Sequence, residues 1–362
     1  MANEVPAKTH GVGVFLELRK RLQSGLLIVG KDVAQTPADV AVTSGDSSLH
    51  IRTPRGVLYL TLPAGVAFEQ GSCIPTPAGE SCGEELHFRL RISVERSTDE
   101  DSSASMMKTL RAKKAYCFYC QGCMTRLLED RVFNRVLPLP NARDGSCEQT
   151  LTEEVSPVGT EDSQDPKKPC RRLALISCAS CSSVLGEAVT PETLKLYVTQ
   201  VVVEPAVGDR KPEASLNRSL FVERTVAARL LELSNSLSTY HFSVQTPDGK
   251  AFLLLWLLNS DSIIASVPET RVGTESSNGS PALHSPSPRA ARALKLLYIA
   301  CSDTGIQQRD IVTSWEVSVI GHPVVLPLKV CEELLQVMDD SNSTLPTSMR
   351  CMRSYEVAYL RL

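Results

Sequence analysis

Short apolar runs of strand length open the chain: Val14–Leu18, Leu26–Val29, Val57–Leu62 and Leu86–Ile92. The last alternates strictly, with Leu86, Phe88, Leu90 and Ile92 on one side and His87, Arg89 and Arg91 on the other. A period of two predicts a half-buried strand, one face on a core and one in water. Pro and Gly clusters between the runs supply turns. Residues 1–95 therefore read as an N-terminal β domain of sandwich type.

The pattern then breaks. Residues 96–105 are polar and read as a loop, the start of a linker over 96–140 that carries a compact cysteine-rich piece, Cys117–Cys123. Arg135–Pro140 contains two prolines, which fix φ and favour an extended sheet-edge path. Residues 141–170 are rich in Glu, Asp, Ser, Thr, Lys and Pro and read as a disordered insert. Apolar pattern resumes at Leu173 and defines a C-terminal α+β domain over 171–362. Leu194–Val203 reads as one long strand. In Leu220–Leu233, Phe221, Val226, Leu230 and Leu233 recur at helical spacing. Tyr240–Gln245 alternates, Thr246-Pro247-Asp248-Gly249 turns, and Ala251–Leu258 returns apolar on both faces, which predicts a central strand. Residues 270–289 read as a second loop. Leu294–Ala300, Trp315–Ile320 and Tyr355–Leu360 read as strands. Pro327 opens a helix over 327–339, with Cys331, Leu334, Leu335 and Met338 on one face. No repeat of solenoid length is present.

Composition narrows the partners. Hydrophobic residues make up 42% of the 362, enough to build cores and to exclude a wholly disordered chain. Lys and Arg number 38 against 41 Asp and Glu, a net charge of -3, and aromatics are 5%. Duplex DNA, a nucleic-acid stacking platform and a bare anionic membrane are disfavoured as main partners. The longest apolar run, Ala251–Leu258, is too short to span a bilayer as a helix, which takes about 20 residues. No signal core is visible at the start, so the expected location is cytoplasmic, with the nucleus also open.

Two C-x-x-C units stand out among 12 cysteines: Cys120/Cys123 and Cys178/Cys181. Each spacing lets two thiolates on a tight turn take adjacent corners of a tetrahedron, and two such turns complete a structural zinc site. The insert between them can loop out at modest entropic cost. Cys117 overlaps the first unit but is not needed for four ligands. The other reading is buried filler or a redox dithiol; neither pair opens a helix in a βαβ unit, as a thioredoxin-type motif does.

General acid–base chemistry is not legible. The histidines at 10, 50, 87, 241, 284 and 322 form no motif, and His241 reads as a surface position. No phosphate-binding glycine loop, H-E-x-x-H or G-x-S-x-G occurs. Near the end, Leu345-Pro-Thr-Ser-Met-Arg-Cys351 places a thiol between Arg350 and Arg353. Positive charge favours a thiolate, which would suit an acceptor of an acyl group as a thioester. The plain alternative is an ordinary cysteine before a final core strand.

Several strings together resemble the HECT-like ubiquitin-protein ligases, also described as ubiquitin-conjugating-enzyme-binding proteins. They are Val14-Phe-Leu-Glu-Leu18 with Leu26-Leu-Ile-Val29, Phe118-Tyr-Cys-Gln-Gly-Cys123, and Arg135-Val-Leu-Pro-Leu-Pro140. Further along come Cys178/Cys181 with Leu185-Gly-Glu187, Leu254-Leu-Trp-Leu-Leu-Asn-Ser-Asp261, and Met352–Leu360. The resemblance implies ubiquitin accepted from a conjugating enzyme and passed to substrates, the chain itself or cyclin B. It also implies an alternative role as a non-catalytic partner, inhibitor or chaperone of the endonuclease that cleaves pre-mRNA 3′ ends. That inhibition would use a hook of adjacent cysteines followed by His-Pro-Asp, whereas this chain reads Asp144-Gly-Ser-Cys147-Glu-Gln. Leu345–Cys351 is similar to the Leu-Pro loop of true HECT ligases, while family members can carry Arg at the position of Cys351. The expected fold is a β-rich α+β protein, two sheet-containing domains bridged by the four-cysteine zinc site, and not a true HECT fold.

Overall fold

The computed structural model describes residues 12–76, 84–95, 110, 113–132, 174–190, 193–206, 217–272, 287–301, 306–318 and 321–362. The expected disordered insert, Arg135–Pro140 and Cys147 lie outside them. The chain divides into two compact units. The first comprises 1–103, 226–322 and 326–362, and the second 104–225 with 323–325.

The first unit is built on one large antiparallel sheet. Its path runs Cys351–Met352, Tyr355–Arg361, Ala291–Ala300, Ala251–Pro268, Val12–Arg19, Ser24–Gly30, Glu85–Val94 and Val66–Phe68. Strands expected in separate N- and C-terminal domains thus share a sheet, with Val14 opposite Val267 and Leu16 opposite Ala265. The reason is burial. Val14, Phe15 and Leu16 are all inaccessible, so Val12–Arg19 is apolar on both faces and cannot lie at an edge. Ala251–Pro268 has the same demand and is its neighbour. A second sheet, Ala41–Gly45, Ser48–Thr53 and Gly56–Thr61, contributes Leu49, Ile51, Leu58 and Leu60 to a core with Val14, Leu16, Leu18, Phe88 and Leu90. The sandwich read from residues 1–95 is therefore present, but C-terminal strands complete one of its sheets.

Three α-helices are described: α1 (Arg218–Leu237), α2 (Ile306–Ser318) and α3 (Leu328–Ser343). Pro327 caps α3, whose Val330, Cys331, Leu334, Val337 and Met338 form its buried stripe. Ser341 Oγ donates to Tyr359 O at 2.9 Å and accepts the Tyr359 N–H at 2.8 Å, tying the last turn of α3 to the final strand.

Two elements differ from expectation. Trp315 lies in α2, not in a strand. The helix runs over Ile306–Ser318, with Ile311 and Trp315 four residues apart. Leu194–Val203 is two strands, Thr193–Leu196 and Val201–Pro205, in different sheets. A turn closed by Gln200 N–H on Tyr197 O at 2.9 Å separates them, and it contains neither Gly nor Pro to announce it.

The second unit holds two three-stranded sheets. One is ordered Arg126–Val132, Ala115–Cys120, Val201–Pro205, and the other Ala174–Ser177, Val184–Thr190, Thr193–Leu196. No described helix is long and apolar enough to cross a membrane.

Candidate metal centre

In each sheet of the second unit one hairpin turn carries a C-x-x-C unit. The two turns have the same hydrogen bonds. Met124 N–H donates to Cys120 O at 2.8 Å and Ser182 N–H to Cys178 O at 2.9 Å. Cys120 N–H donates to Thr125 O at 2.8 Å and Cys178 N–H to Ser183 O at 2.9 Å. Met124 and Ser182 both sit in the left-handed region, at φ 55° and 59°. Such turns fold both cysteine side chains to one side of the loop.

The four thiols converge. Cys120 Sγ lies 3.6 Å from Cys181 Sγ, and Cys123 Sγ 3.7 Å from Cys178 Sγ. All four sulfurs lie within 4.8 Å of one another. A disulfide needs about 2.05 Å. A tetrahedron with metal–sulfur bonds of about 2.3 Å has edges of about 3.8 Å. The spacing fits four thiolates around one ion, which leaves no open position for a substrate or water. The closest pairs cross between hairpins, so an ion there would clamp one sheet to the other. Among the described residues no other group of three or more His, Cys, Asp or Glu side chains has such spacing, and Cys117 stays outside the cluster.

The surroundings divide the ligands. Cys120 and Cys178 are buried with Leu185 and Val201, against which Leu127, Leu196 and Val203 pack. Burial pushes the Cys120 thiol up to about 12. Cys123 and Cys181 face outward, each beside a hydroxyl: Thr125 Oγ1 at 3.1 Å and Ser183 Oγ at 3.2 Å. The Thr125 hydroxyl and backbone N–H lower Cys123 to about 6, and those of Ser183 lower Cys181. The hydroxyl partners escaped the sequence reading. Their signal is the shared pattern C-x-x-C-x-Thr/Ser, in which Thr125 and Ser183 occupy the same place.

The expectation that this cluster bridges two domains is corrected: all four cysteines belong to the second unit. An ion there would link two sheets within that unit.

Cys351 stands apart, in the first unit. It is exposed on the two-residue strand Cys351–Met352, which pairs with Tyr355 and Glu356 across a turn held by Arg353 at φ 57°. The preceding loop is anchored from the far end of the sheet. Glu85 accepts the Thr347 N–H at 2.7 Å and the Ser348 hydroxyl, and His87 Nε2 lies 3.4 Å from Ser348 Oγ. Arg350 donates to Leu345 O and Ser343 O, each at 3.0 Å, so its guanidinium is committed to the end of α3. His241 is half-buried, not a free surface position. It stacks on Trp256 with centroids 4.9 Å apart and meets the edge of Trp315 at 5.2 Å.

Fold and site define a β-rich protein with a four-cysteine cluster that could hold a metal ion and a separate exposed thiol. A family model described as HECT-like ubiquitin-conjugating enzyme (E2)-binding matches residues 17–144 and 142–357. Three similar proteins are named as E3 ubiquitin-protein ligases. That of Mus musculus is 34% identical over 377 residues, covering 96% of this chain and 98% of its own. That of Rattus norvegicus is 34% identical over 378 residues, covering 95% and 96%. That of Homo sapiens is 30% identical over 392 residues, covering 96% and 98%. No solved structure matches the chain. The chain belongs to the HECT-like, ubiquitin-conjugating-enzyme-binding family, as its Phe118–Cys123 and Trp256-centred strings led us to expect.

Proposed function

We propose that this chain is a ubiquitin-protein ligase that takes ubiquitin from a charged conjugating enzyme, with Cys351 as the acceptor thiol. The observation that carries the ligase reading is the family match, which spans nearly the whole chain and both units. The exposure of Cys351 on an edge hairpin supports its part, because a bulky thioester-bound donor can reach it. The Cys351 thiolate would attack the thioester carbonyl of the charged enzyme. A new sulfur–carbon bond forms, the old one breaks, and the conjugating enzyme leaves as its thiolate. A lysine amine, first of the chain itself and then of a substrate such as cyclin B, would displace Cys351 in turn.

The four-cysteine cluster is read as a zinc site. Zinc would supply no redox or transfer chemistry there, only the link between two hairpins. The chain's own residues do the rest: Cys120 and Cys178 shield the inner side, and the Thr125 and Ser183 hydroxyls steady the outer thiolates.

The test mixes the purified chain with a panel of ubiquitin-charged conjugating enzymes and looks for a thiol-sensitive adduct on non-reducing gels. An adduct absent only from Cys351→Ala is the expected result. The commitment of Arg350 to the α3 carbonyls favours a second reading, a scaffold that positions the charged enzyme without bonding ubiquitin. Ligation that persists in Cys351→Ala without any adduct would establish that scaffold. The alternative role toward the 3′-end endonuclease rests on the family resemblance alone, and Cys147, in the region of the expected hook, lies outside the described residues.

A further inference from the structure

One face of the large sheet carries a line of rings in mutual contact. His241 faces Trp256 across their strand pair, and the two rings stack with centroids 4.9 Å apart. Trp315, from α2, meets His241 edge-on at 5.2 Å, and Tyr355 meets Trp256 edge-on at 6.4 Å. Met352 faces Tyr355 in the terminal strand pair, and directly paired residues on antiparallel strands point to the same side. Each step is thus a ring contact or a direct pair. The line runs from His241–Gln245 over three strands to Cys351–Met352, about 19 Å at about 4.8 Å per strand. Met352 is 47% and Trp256 36% exposed, His241 and Tyr355 are half-buried, and Trp315 is buried.

A single exposed apolar residue is ordinary; a contiguous apolar strip on a sheet face is not. Trp256 stands on a strand paired on both sides, where Leu254, Leu255 and Leu257 are all buried, yet its own ring is left open. The charges nearby divide by face. Cys351 faces Glu356, Glu356 faces Tyr298, and the Tyr298 hydroxyl donates to Asp339 of α3 at 2.7 Å. The Cys351 thiol and the Glu356 carboxylate therefore leave the hairpin on the α3 side, opposite Met352 and Tyr355. Arg353 is exposed at the hairpin turn and makes no ion pair among the described residues. The strip is thus apolar, with a cation at its outer end.

We propose that this strip docks the conjugating enzyme, through an apolar side chain of that partner set beside a carboxylate. The apolar group would cover Trp256 and Met352, and the carboxylate would pair with Arg353. Trp, Tyr and Met are the side chains enriched where protein partners meet. The occupant follows from the place. Cys351–Met352 ends the strand path, so one edge hairpin holds the outer end of the strip on one face and the Cys351 thiol on the other. A folded body seated on the strip and overhanging that edge can present its thioester around the width of one strand. The family is described as binding conjugating enzymes, and the charged form of that partner is what must come to Cys351. That last step rests on the ligase reading; the docking itself requires no transfer of ubiquitin.

The experiment titrates the full chain into fluorescein-labelled, uncharged conjugating enzymes, one at a time from a panel, and reads anisotropy. In parallel the chain is made with fluorotryptophan, and its two fluorine NMR signals are assigned to Trp256 and Trp315 with Trp256→Phe. At least one enzyme should bind and, added unlabelled, displace the Trp256 signal. Trp256→Ala should weaken binding at least about tenfold. Met352→Glu tests the same surface at an exposed edge position, and should weaken binding about tenfold with the urea midpoint unchanged. Arg353→Glu should weaken it about threefold. Leu22→Glu, exposed away from the strip, should leave it unchanged. Binding that leaves the Trp256 signal in place, wild-type affinity in Met352→Glu, or no binding by any enzyme of the panel would each overturn the proposal. So would a dimer in sedimentation equilibrium that Met352→Glu dissolves, which would assign the strip to a second copy of the chain. Binding through the strip with no ubiquitin adduct at any cysteine would uphold the docking and remove Cys351 as acceptor. Adduct formation by Met352→Glu at the wild-type rate would do the reverse.

Discussion

Removing metal from the four-cysteine centre should unfold the second unit and leave the first intact. Around the thiols, Leu185 and Val201 are the fully buried aliphatic side chains, with Leu127, Leu196 and Val203 half-buried. Full burial of one such side chain contributes about 1.5–3 kcal/mol, so the pair supplies about 3–6 kcal/mol. Structural zinc bound by four such ligands contributes about 10–16 kcal/mol near neutral pH. The ion's share is the larger of the two, so the hairpins depend on it. The chain supplies its own reporters. Both tryptophans, Trp256 and Trp315, belong to the first unit, so their emission follows that unit alone. Amide hydrogen exchange over 113–132 and 174–206 follows the second. After chelation, verified by elemental analysis, protection in those segments should vanish while tryptophan emission holds. Cys178→Ser should do the same, because Cys178 is buried in the cluster and a hydroxyl is a poor replacement for a thiolate ligand. Full amide protection in a metal-free chain would refute the reasoning, since apolar packing alone would then suffice.

Three further outcomes are expected. Lys295→Met leaves Glu17 buried without its closest cation and should cost about 3–5 kcal/mol by urea denaturation. Adding Glu17→Leu should recover most of that loss, because a buried pair is replaced by apolar groups instead of being broken. Burial lowers the His241 pKa below its usual 6.5, so the unfolded chain takes up that proton first as pH falls. Its contribution is complete above 6.5 and declines as pH drops below it, and His241→Gln should flatten the urea midpoint across that window. Gly186→Ala would put a Cβ 2.0 Å from Lys195 O and 2.9 Å from Leu196 Cα, both backbone atoms that cannot rotate away. The strand pair must separate, at a cost of more than about 3 kcal/mol, and metal release to a chromogenic chelator should then occur at lower temperature.

Much of the local structure was legible in the residues themselves. Leu86–Ile92 alternates because its strand has one dry face, and Glu85–Val94 is that strand. The apolar return of the Thr246–Gly249 turn predicted a central strand, and Ala251–Pro268 pairs with strands on both sides. Pro327 marked the start of α3. The two C-x-x-C units named the four thiols that meet, because a tight turn fixes its two side chains whatever surrounds it. Trp315 was misread because a short run rich in apolar residues also fits the end of a helix. Leu194–Val203 was misread because β-prone residues run through the turn at Tyr197–Gln200 with no Gly or Pro to mark it.

What the sequence determined by itself was therefore short-range: element type where one face is wet, turn chemistry where Gly, Pro or Cys fixes it, and membership of a family. The tertiary structure alone decided which strands are neighbours. Val12–Arg19 and Ala251–Pro268 share no local signal, yet each has two dry faces and each satisfies the other. The cross-hairpin thiol pairs are likewise a matter of tertiary structure. Their members lie 61 and 55 residues apart in sheets that share no described backbone pairing, and only the packing of the two hairpins around Leu185 and Val201 brings them side by side.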